Sequence, residues 1–327
     1  MTRQPARAAP GRFLSRPVPA RPASTLRERR LVELGIVVVA FVWGSNFIVV
    51  KALIEHIPPL GLSAMRFTLA SVVLFVLLRV REGSIGVPRR DLLPMALLGV
   101  LGFGLYQTLW TLGLVSIPAG DSALLIAFTP ILTALLAVVA GSDTLTRPKL
   151  LGAIISFVGV AIIVAGEGLS LGSSLLGDVL TLCAAGCWAI YTAFGAPILR
   201  RHSPLRTTTW TMAAGALFLV VPGTAQLAAV DWSLIGAGVW LAFLYSSLQT
   251  SLANVVVFQG VKLLGPTRVT AYQFLIPLFA VILAALILAE PIRPNQVLGG
   301  IVIVAGILVT RTGRRIAARW AGRPVGP

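Results

Sequence analysis

Along one apolar stretch of the chain, Tyr245, Ser246, Gln249, Thr250 and Asn254 recur at intervals of four residues. That spacing stacks side chains on one face of a helix, so Tyr245 with Gln249, and Ser246 with Thr250 and Asn254, make two adjoining polar stripes. Hydroxyls and amides of this kind exchange hydrogen bonds rather than break covalent ones. Within a membrane they must face protein or water, and five together read as the wall of a wet cavity, with interhelical hydrogen bonding as the competing reading. Tyr106, Gln107, Trp110 and Thr111 form a comparable group earlier in the chain, and Tyr272 with Gln273 extends the same surface later.

Trp43 and Asn46 fall in the middle of an apolar run, away from the interfaces where membrane tryptophans usually sit. Trp188 and Tyr191 repeat that pattern in the second half, which favours a cavity over simple helix contact. Arg66 is the one Lys or Arg inside an apolar run, about five residues or ~7.5 Å from its end at 1.5 Å per residue. Such a charge marks a functional site or snorkels to the interface, and the sequence leaves both open. Pro130 and Pro277 would each free a carbonyl in mid-helix, as a kink or a gate. Gly152 with Gly159, and Gly299 with Gly306, lie seven apart and read as close helix packing, while Asp143 and Glu290 read as caps of the helices that follow them.

Enzymatic chemistry finds little support. The only histidines are His56 and His202, both between apolar runs, and no metalloprotease, nucleophile-elbow or phosphate-loop pattern occurs. Cys183 and Cys187 are four apart on one helical face, where a disulfide is geometrically unfavourable, and with no other cysteine they read as packing residues rather than metal ligands. No cofactor or metal is expected.

The elements that must position these groups follow from composition. The chain is 57% hydrophobic and 12% charged, with mean hydropathy +0.91, so lipid must solvate much of its surface. Its net charge of +16 does not imply nucleic acid, because the basic residues lie in the tails and between apolar runs. A helix needs roughly 20 residues to cross a bilayer. Gly, Pro and charge clusters delimit apolar runs near 33–51, 61–79, 91–114, 120–140, 149–166, 178–200, 205–222, 233–258, 266–288 and 295–311. With the N-terminus inside, the tails and alternate loops on the cytoplasmic side hold 24 of the 27 Lys and Arg, and the outer loops only Lys51 and Arg293. One span more or fewer would scramble that partition. The expectation is an all-α integral protein of the cell (inner) membrane, with ten transmembrane helices and both termini cytoplasmic. Residues 1–30, with eight Arg and frequent Pro, read as a disordered basic tail, and 313–327 as a second basic tail.

The halves repeat. An offset of 147 pairs Gly113 with Gly260, Pro130 with Pro277, Asp143 with Glu290, Gly152 with Gly299 and Gly159 with Gly306. An offset of 145 pairs Trp43 with Trp188 and Glu33 with Asp178. Units of five spans, 31–167 and 168–312, would enter the membrane from opposite sides, which predicts two inverted five-helix repeats.

Residues 42–78, VWGSNFIVVKALIEHIPPLGLSAMRFTLASVVLFVLL, resemble the opening of the EamA-type branch of the drug/metabolite transporter superfamily. Residues 264–311, LGPTRVTAYQFLIPLFAVILAALILAEPIRPNQVLGGIVIVAGILVTR, resemble its closing helices. The resemblance implies a central cavity lined chiefly by the first, third, fourth, sixth, eighth and ninth helices, and export of amino acids or other small metabolites. Nucleotide-sugar and triose-phosphate carriers are distant relatives, so a multidrug or nucleotide-sugar-like carrier of the same fold is the alternative. A membrane-embedded enzyme or a non-transporting scaffold would leave the stripes and the repeat unexplained. The expected partners are a small-molecule substrate and the bilayer; the sequence does not indicate an oligomeric state.

Overall fold

The computed structural model describes residues 25–117, 122, 125–165, 174–288 and 292–320, and every regular element among them is a helix. In chain order these are α1 (Leu26–Ile54), α2 (Pro59–Glu82), α3 (Arg89–Ser116), α4 (Thr129–Val139) and α5 (Arg147–Ala165). They continue with α6 (Leu175–Ile198), α7 (Pro204–Leu227), α8 (Ala237–Leu264), α9 (Pro266–Ala271), α10 (Leu275–Leu288) and α11 (Pro294–Trp320). Among the described residues, six of these helices are long and apolar enough to cross a membrane: α1, α2, α3, α6, α7 and α8. Large apolar side chains such as Val76, Leu217, Val221 and Leu286 face outward, as lipid-facing residues do. The chain is a multi-pass membrane protein.

Local chemistry sets the helix ends. Helix α1 begins at Leu26 because Thr25 and Glu28 form a capping box, the Thr25 hydroxyl accepting from the Glu28 N–H and the Glu28 carboxylate from the Thr25 N–H. Residues 25–30 are therefore the cap and first turn of a helix rather than tail, and Glu33 lies deeper in α1 than a helix start. Helix α11 likewise continues to Trp320, past the expected boundary. Helices α8 and α9 turn at Gly265, whose φ of 90° suits glycine, and Pro266 follows at the first turn of α9, where its missing N–H costs no bond.

Pro130 and Pro277 do not kink mid-helix positions. Pro130 lies in the first turn of α4, after a turn at Ala127–Phe128, and Pro277 in the first turn of α10, after the 3₁₀ segment Tyr272–Phe274. Both prolines mark places where a helix has broken and resumed.

Glycines set the closest packing. A Cβ on Gly152 would stand 2.5 Å from the Gly306 carbonyl oxygen, and one on Gly306 2.5 Å from that of Gly152. Gly159 and Gly299 oppose one another in the same way, at 2.7 and 2.6 Å. Two such pairs fix α5 and α11 as antiparallel neighbours, with the Ser156 hydroxyl between them donating to the Ile303 carbonyl at 3.1 Å. The packing role expected for these four glycines is the one they play. Asp143 stands four residues before the first residue of α5, and its carboxylate accepts from the Thr144 N–H at 2.8 Å and from Lys149 Nζ, in the first turn of α5, at 2.6 Å. Glu290 lies outside the described residues.

One end of the bundle is rich in basic side chains and tied by ion pairs. The Asp91 carboxylate, in the first turn of α3, meets Arg201 at 2.7 Å and His202 at 2.8 Å, and Glu82 at the end of α2 meets Arg206 at 3.0 Å. These contacts join the α2–α3 connection to the α6–α7 connection.

Candidate functional site

Helix α3 is the element that the sequence did not anticipate in detail. Between Val100 and Leu105 it widens into a π-helical turn, a feature that recurs at functional sites. Gly102 lies against the Tyr191 ring with no room for a Cβ, and a Cβ on Gly104 would stand 2.7 Å from the Phe218 ring. The bare backbone lets these rings pack against α3 itself. Phe103 within the turn and Tyr106, Gln107 and Trp110 beyond it share one face.

That face lines a cavity of about 110 Å³. Helix α1 contributes Trp43 and Asn46, α2 contributes Arg66 and Phe67, and α6 contributes Trp188. Gln249, Thr250 and Asn254 line it from α8, with Gln273 and Ile276 at the break before and within α10. The wall thus includes α2, which the family resemblance did not imply; α4 supplies none of it among the described residues.

The polar contacts are local and incomplete. Asn46 Oδ1 accepts from the Ser246 hydroxyl at 2.6 Å, and Gln107 Nε2 donates to the Ser63 hydroxyl at 3.2 Å. Thr250 Oγ1 accepts from Arg66 Nη2 at 3.1 Å and from Gln249 Nε2 at 3.0 Å, and donates to the Ser246 carbonyl at 2.7 Å. Arg66 is 3% exposed, so it does not snorkel; at this depth its guanidinium points into the bundle. Gln249 Oε1, Asn254 Oδ1, Gln273 Nε2 and Arg66 Nε are buried without a hydrogen-bond partner. Leaving a buried polar atom unmet costs about 1–3 kcal/mol, so four around one void suit a site that water or a solute completes.

Aromatic rings close the cavity toward the basic end. Phe103 packs on Tyr191 with centroids 4.9 Å apart, Tyr191 stacks on Phe258 at 4.8 Å, and Trp188 caps Tyr191 at 5.3 Å. Tyr191, expected on the wall, is therefore beneath it, with its hydroxyl 3.2 Å from Thr211 Oγ1. Three other expected wall residues also stand aside. Ser246 is fully buried against Asn46, Tyr245 is 40% exposed with its hydroxyl 2.5 Å from Ser45 Oγ, and Tyr272 borders a narrow adjoining gap. The remaining expected residues, Trp43, Asn46, Arg66, Tyr106, Gln107, Trp110, Trp188, Gln249, Thr250, Asn254 and Gln273, do meet at one cavity. Phe67, Phe103 and Ile276 escaped sequence reading because apolar residues in a membrane helix carry no signal of their own; Gly99, Gly102 and Gly104 were the clue to the π turn.

Among the described residues no group of three or more His, Cys, Asp or Glu could hold a metal ion, and both cysteines are free. The sequence matches the model of the EamA-like transporter family over residues 30–165 and 175–312. The chain belongs to this family. It is 30% identical over 294 residues, covering 88% of this chain and 97% of the other, to a protein of Streptantibioticus cattleyicolor named "Probable terminal-alkyne amino-acid exporter". It is 28% identical to the uncharacterized transporter YyaM of Bacillus subtilis, over 81% of this chain and 88% of that one. A Salmonella typhimurium protein named "Probable amino-acid metabolite efflux pump" is 27% identical over 87% of this chain and 96% of its own length. A solved crystal structure shares the fold, with a TM-score of 0.73 at 17% identity over 86% of this chain and 97% of that one. As a member of the EamA-like transporter family the chain is a transporter by family, and these relatives point away from an enzyme.

Proposed function

We propose that this EamA-like protein is a secondary transporter that exports small metabolites such as amino acids by alternating access around the cavity. The observation that carries the reading is that residues equivalent in the two halves meet one another. At the offset of 147, Gly152 corresponds to Gly299 and Gly159 to Gly306, yet Gly152 packs on Gly306 and Gly159 on Gly299. Between them Ser156 bonds to Ile303, its own equivalent. Such reciprocity is what a two-fold axis produces, and because α5 and α11 are antiparallel the axis lies across the helices rather than along them. That supports inverted repeats of five spans each, 31–167 and 168–312, in ten spans overall.

The cavity fits the same axis. Its wall contains Trp43 with Trp188, Phe103 with Thr250, and Gln107 with Asn254, each pair related by the offsets of 145 or 147. A site on the axis of an inverted repeat can be opened to either side by exchanging the conformations of the halves. The aromatic layer and the Asp91 ion pairs would form the closed gate in the present state. With basic loops inside, that gate faces the cytoplasm of an inner-membrane protein with both termini cytoplasmic.

A cavity of about 110 Å³ with one cation on its wall favours small solutes over drug-sized molecules, which need ~300 Å³ or more, and over nucleotide sugars, whose phosphates call for several Lys or Arg. An untargeted comparison of the medium of overexpressing and deleted cells tests the reading. At least one small metabolite should accumulate outside with overexpression and fall on deletion; no such solute would reject export.

A further inference from the structure

We infer that Arg66 is the residue that selects the solute, by binding a single carboxylate, while Gln249 and Asn254 accept hydrogen bonds from a donor on the same molecule. The inference rests on the transporter reading and deepens it. Arg66 is 3% exposed, borders the cavity and, among the described residues, forms no ion pair with a carboxylate. An arginine side chain cannot shed its proton in a protein, so its charge persists at this depth. A structural clamp would spend the five donors on backbone carbonyls. Arg66 instead makes one hydrogen bond among the described residues, from Nη2 to the Thr250 hydroxyl, and its Nε has no partner there. The planar fork of a guanidinium matches the two oxygens of a carboxylate.

The repeat sharpens the argument. The second half offers Thr211 or Ala213 at the positions equivalent to Arg66, so the architecture is built once without a charge there. The acceptors on the far side complete the pattern. Gln249 and Asn254 use their amide nitrogens within α8, which leaves Gln249 Oε1 and Asn254 Oδ1 unpartnered at the cavity. Carbonyl oxygens so presented suit an ammonium or amide donor, and the Trp43 and Trp188 faces suit an apolar body or an ammonium beside it. One cation balances one negative charge, so a second carboxylate or a phosphate dianion would remain uncompensated.

The test uses full-length protein in proteoliposomes and three matched pairs: L-leucine, L-phenylalanine and L-threonine, each with its carboxamide. Wild type should carry the acid of at least one pair at least tenfold faster than the amide. Arg66→Gln should reduce acid flux more than tenfold while leaving amide flux within threefold, and Arg66→Lys, which keeps charge but loses the fork, should fall between. Thr250→Val, which frees the guanidinium without removing it, should keep the preference for acid. Equal flux of acid and amide in wild type, or equal loss of both in Arg66→Gln with normal melting, overturns the role of Arg66 and leaves transport standing. No flux of any of the six overturns the transporter reading for this chemistry and this inference with it.

Discussion

Trp43 and Trp188 meet edge to face, with ring centroids 5.8 Å apart and planes at 77°, although 145 residues separate them in the chain. The contact joins equivalent positions of the two halves at the cavity wall. Edge-to-face rings gain about 0.5–1.5 kcal/mol beyond burial, so under the alternating access proposed above the pair would hold the halves together without locking them. Trp43→Ala and Gln249→Leu should each lower transport about tenfold, a cost of ~1.4 kcal/mol in the bound or moving state, with membrane abundance near normal. Quantitative blots beside flux measurements separate the two effects; equal losses of both would make these residues helix glue.

Close packing predicts the opposite outcome at Gly159. A Cβ there would stand 2.7 Å from the Gly299 carbonyl oxygen and 2.7 Å from the Ile303 nitrogen, both backbone atoms that cannot rotate away. Gly159→Leu should destabilise the protein by about 1–3 kcal/mol or more through overpacking, and lower abundance and melting temperature together. Normal melting of this variant would show that α5 and α11 separate more easily than the reciprocal glycine contacts imply.

These two sites also show what the sequence could carry. Glycine pairs at matching offsets announced close packing on α5 and on α11, because backbone-to-backbone contact tolerates little else, but not that the two helices pack on each other. Polar residues in apolar helices announced the cavity because hydrocarbon leaves them nowhere else to go. Tyr191 and Tyr245 misled for the same reason: a tyrosine hydroxyl is satisfied by one neighbour, here Thr211 or Ser45, and periodicity does not say which. The π turn of α3 and the breaks before Pro130 and Pro277 depend on where rings and backbone meet across helices, which single-helix spacing does not encode.

Topology offers an independent check of the inverted arrangement. Reporter fusions after residues 57, 117 and 230 should report outside, and those after 86, 145, 203, 264 and 320 inside. Helices α5 and α11 run antiparallel, so α11 must cross in the sense opposite to α5. Inversion of every fusion beyond residue 165 would contradict the two-fold relation.

The ion pairs at the basic end should hold the gate shut. Asp91 is 1% exposed and meets Arg201 and His202 of the other half, but Arg201 is half exposed. With Arg201 half in water, Asp91→Asn should loosen this end of the bundle without unfolding the protein. In a background with Cys183 and Cys187 replaced by Ala, a Cys placed at Phe258 should then react faster with an impermeant thiol reagent applied from the cytoplasmic side. Unchanged reactivity would assign the cluster to stability alone.

The last expectation concerns energy. Proton-driven carriers commonly place a carboxylate where protonation changes its desolvation cost. None of the described carboxylates lines the cavity. Glu28, Asp91 and Asp178 occupy first turns of helices, Glu82 and Asp143 pair with Arg206 and Lys149, and Asp231 caps the short 3₁₀ turn Trp232–Leu234. Glu55 follows the last residue of α1 as its cap. Asp121, Glu167 and Glu290 lie outside the described residues. Glu33 differs from its reading as a helix-start acid: α1 begins at Leu26, and the side chain is 8% exposed. It nevertheless stands apart from the cavity wall. Efflux of a confirmed substrate from proteoliposomes should therefore persist when an ionophore collapses the pH gradient, driven by the solute's own gradient. If efflux instead requires the gradient and Glu33→Gln abolishes that requirement while preserving downhill flux, coupling runs through Glu33 and the uncoupled mechanism is wrong.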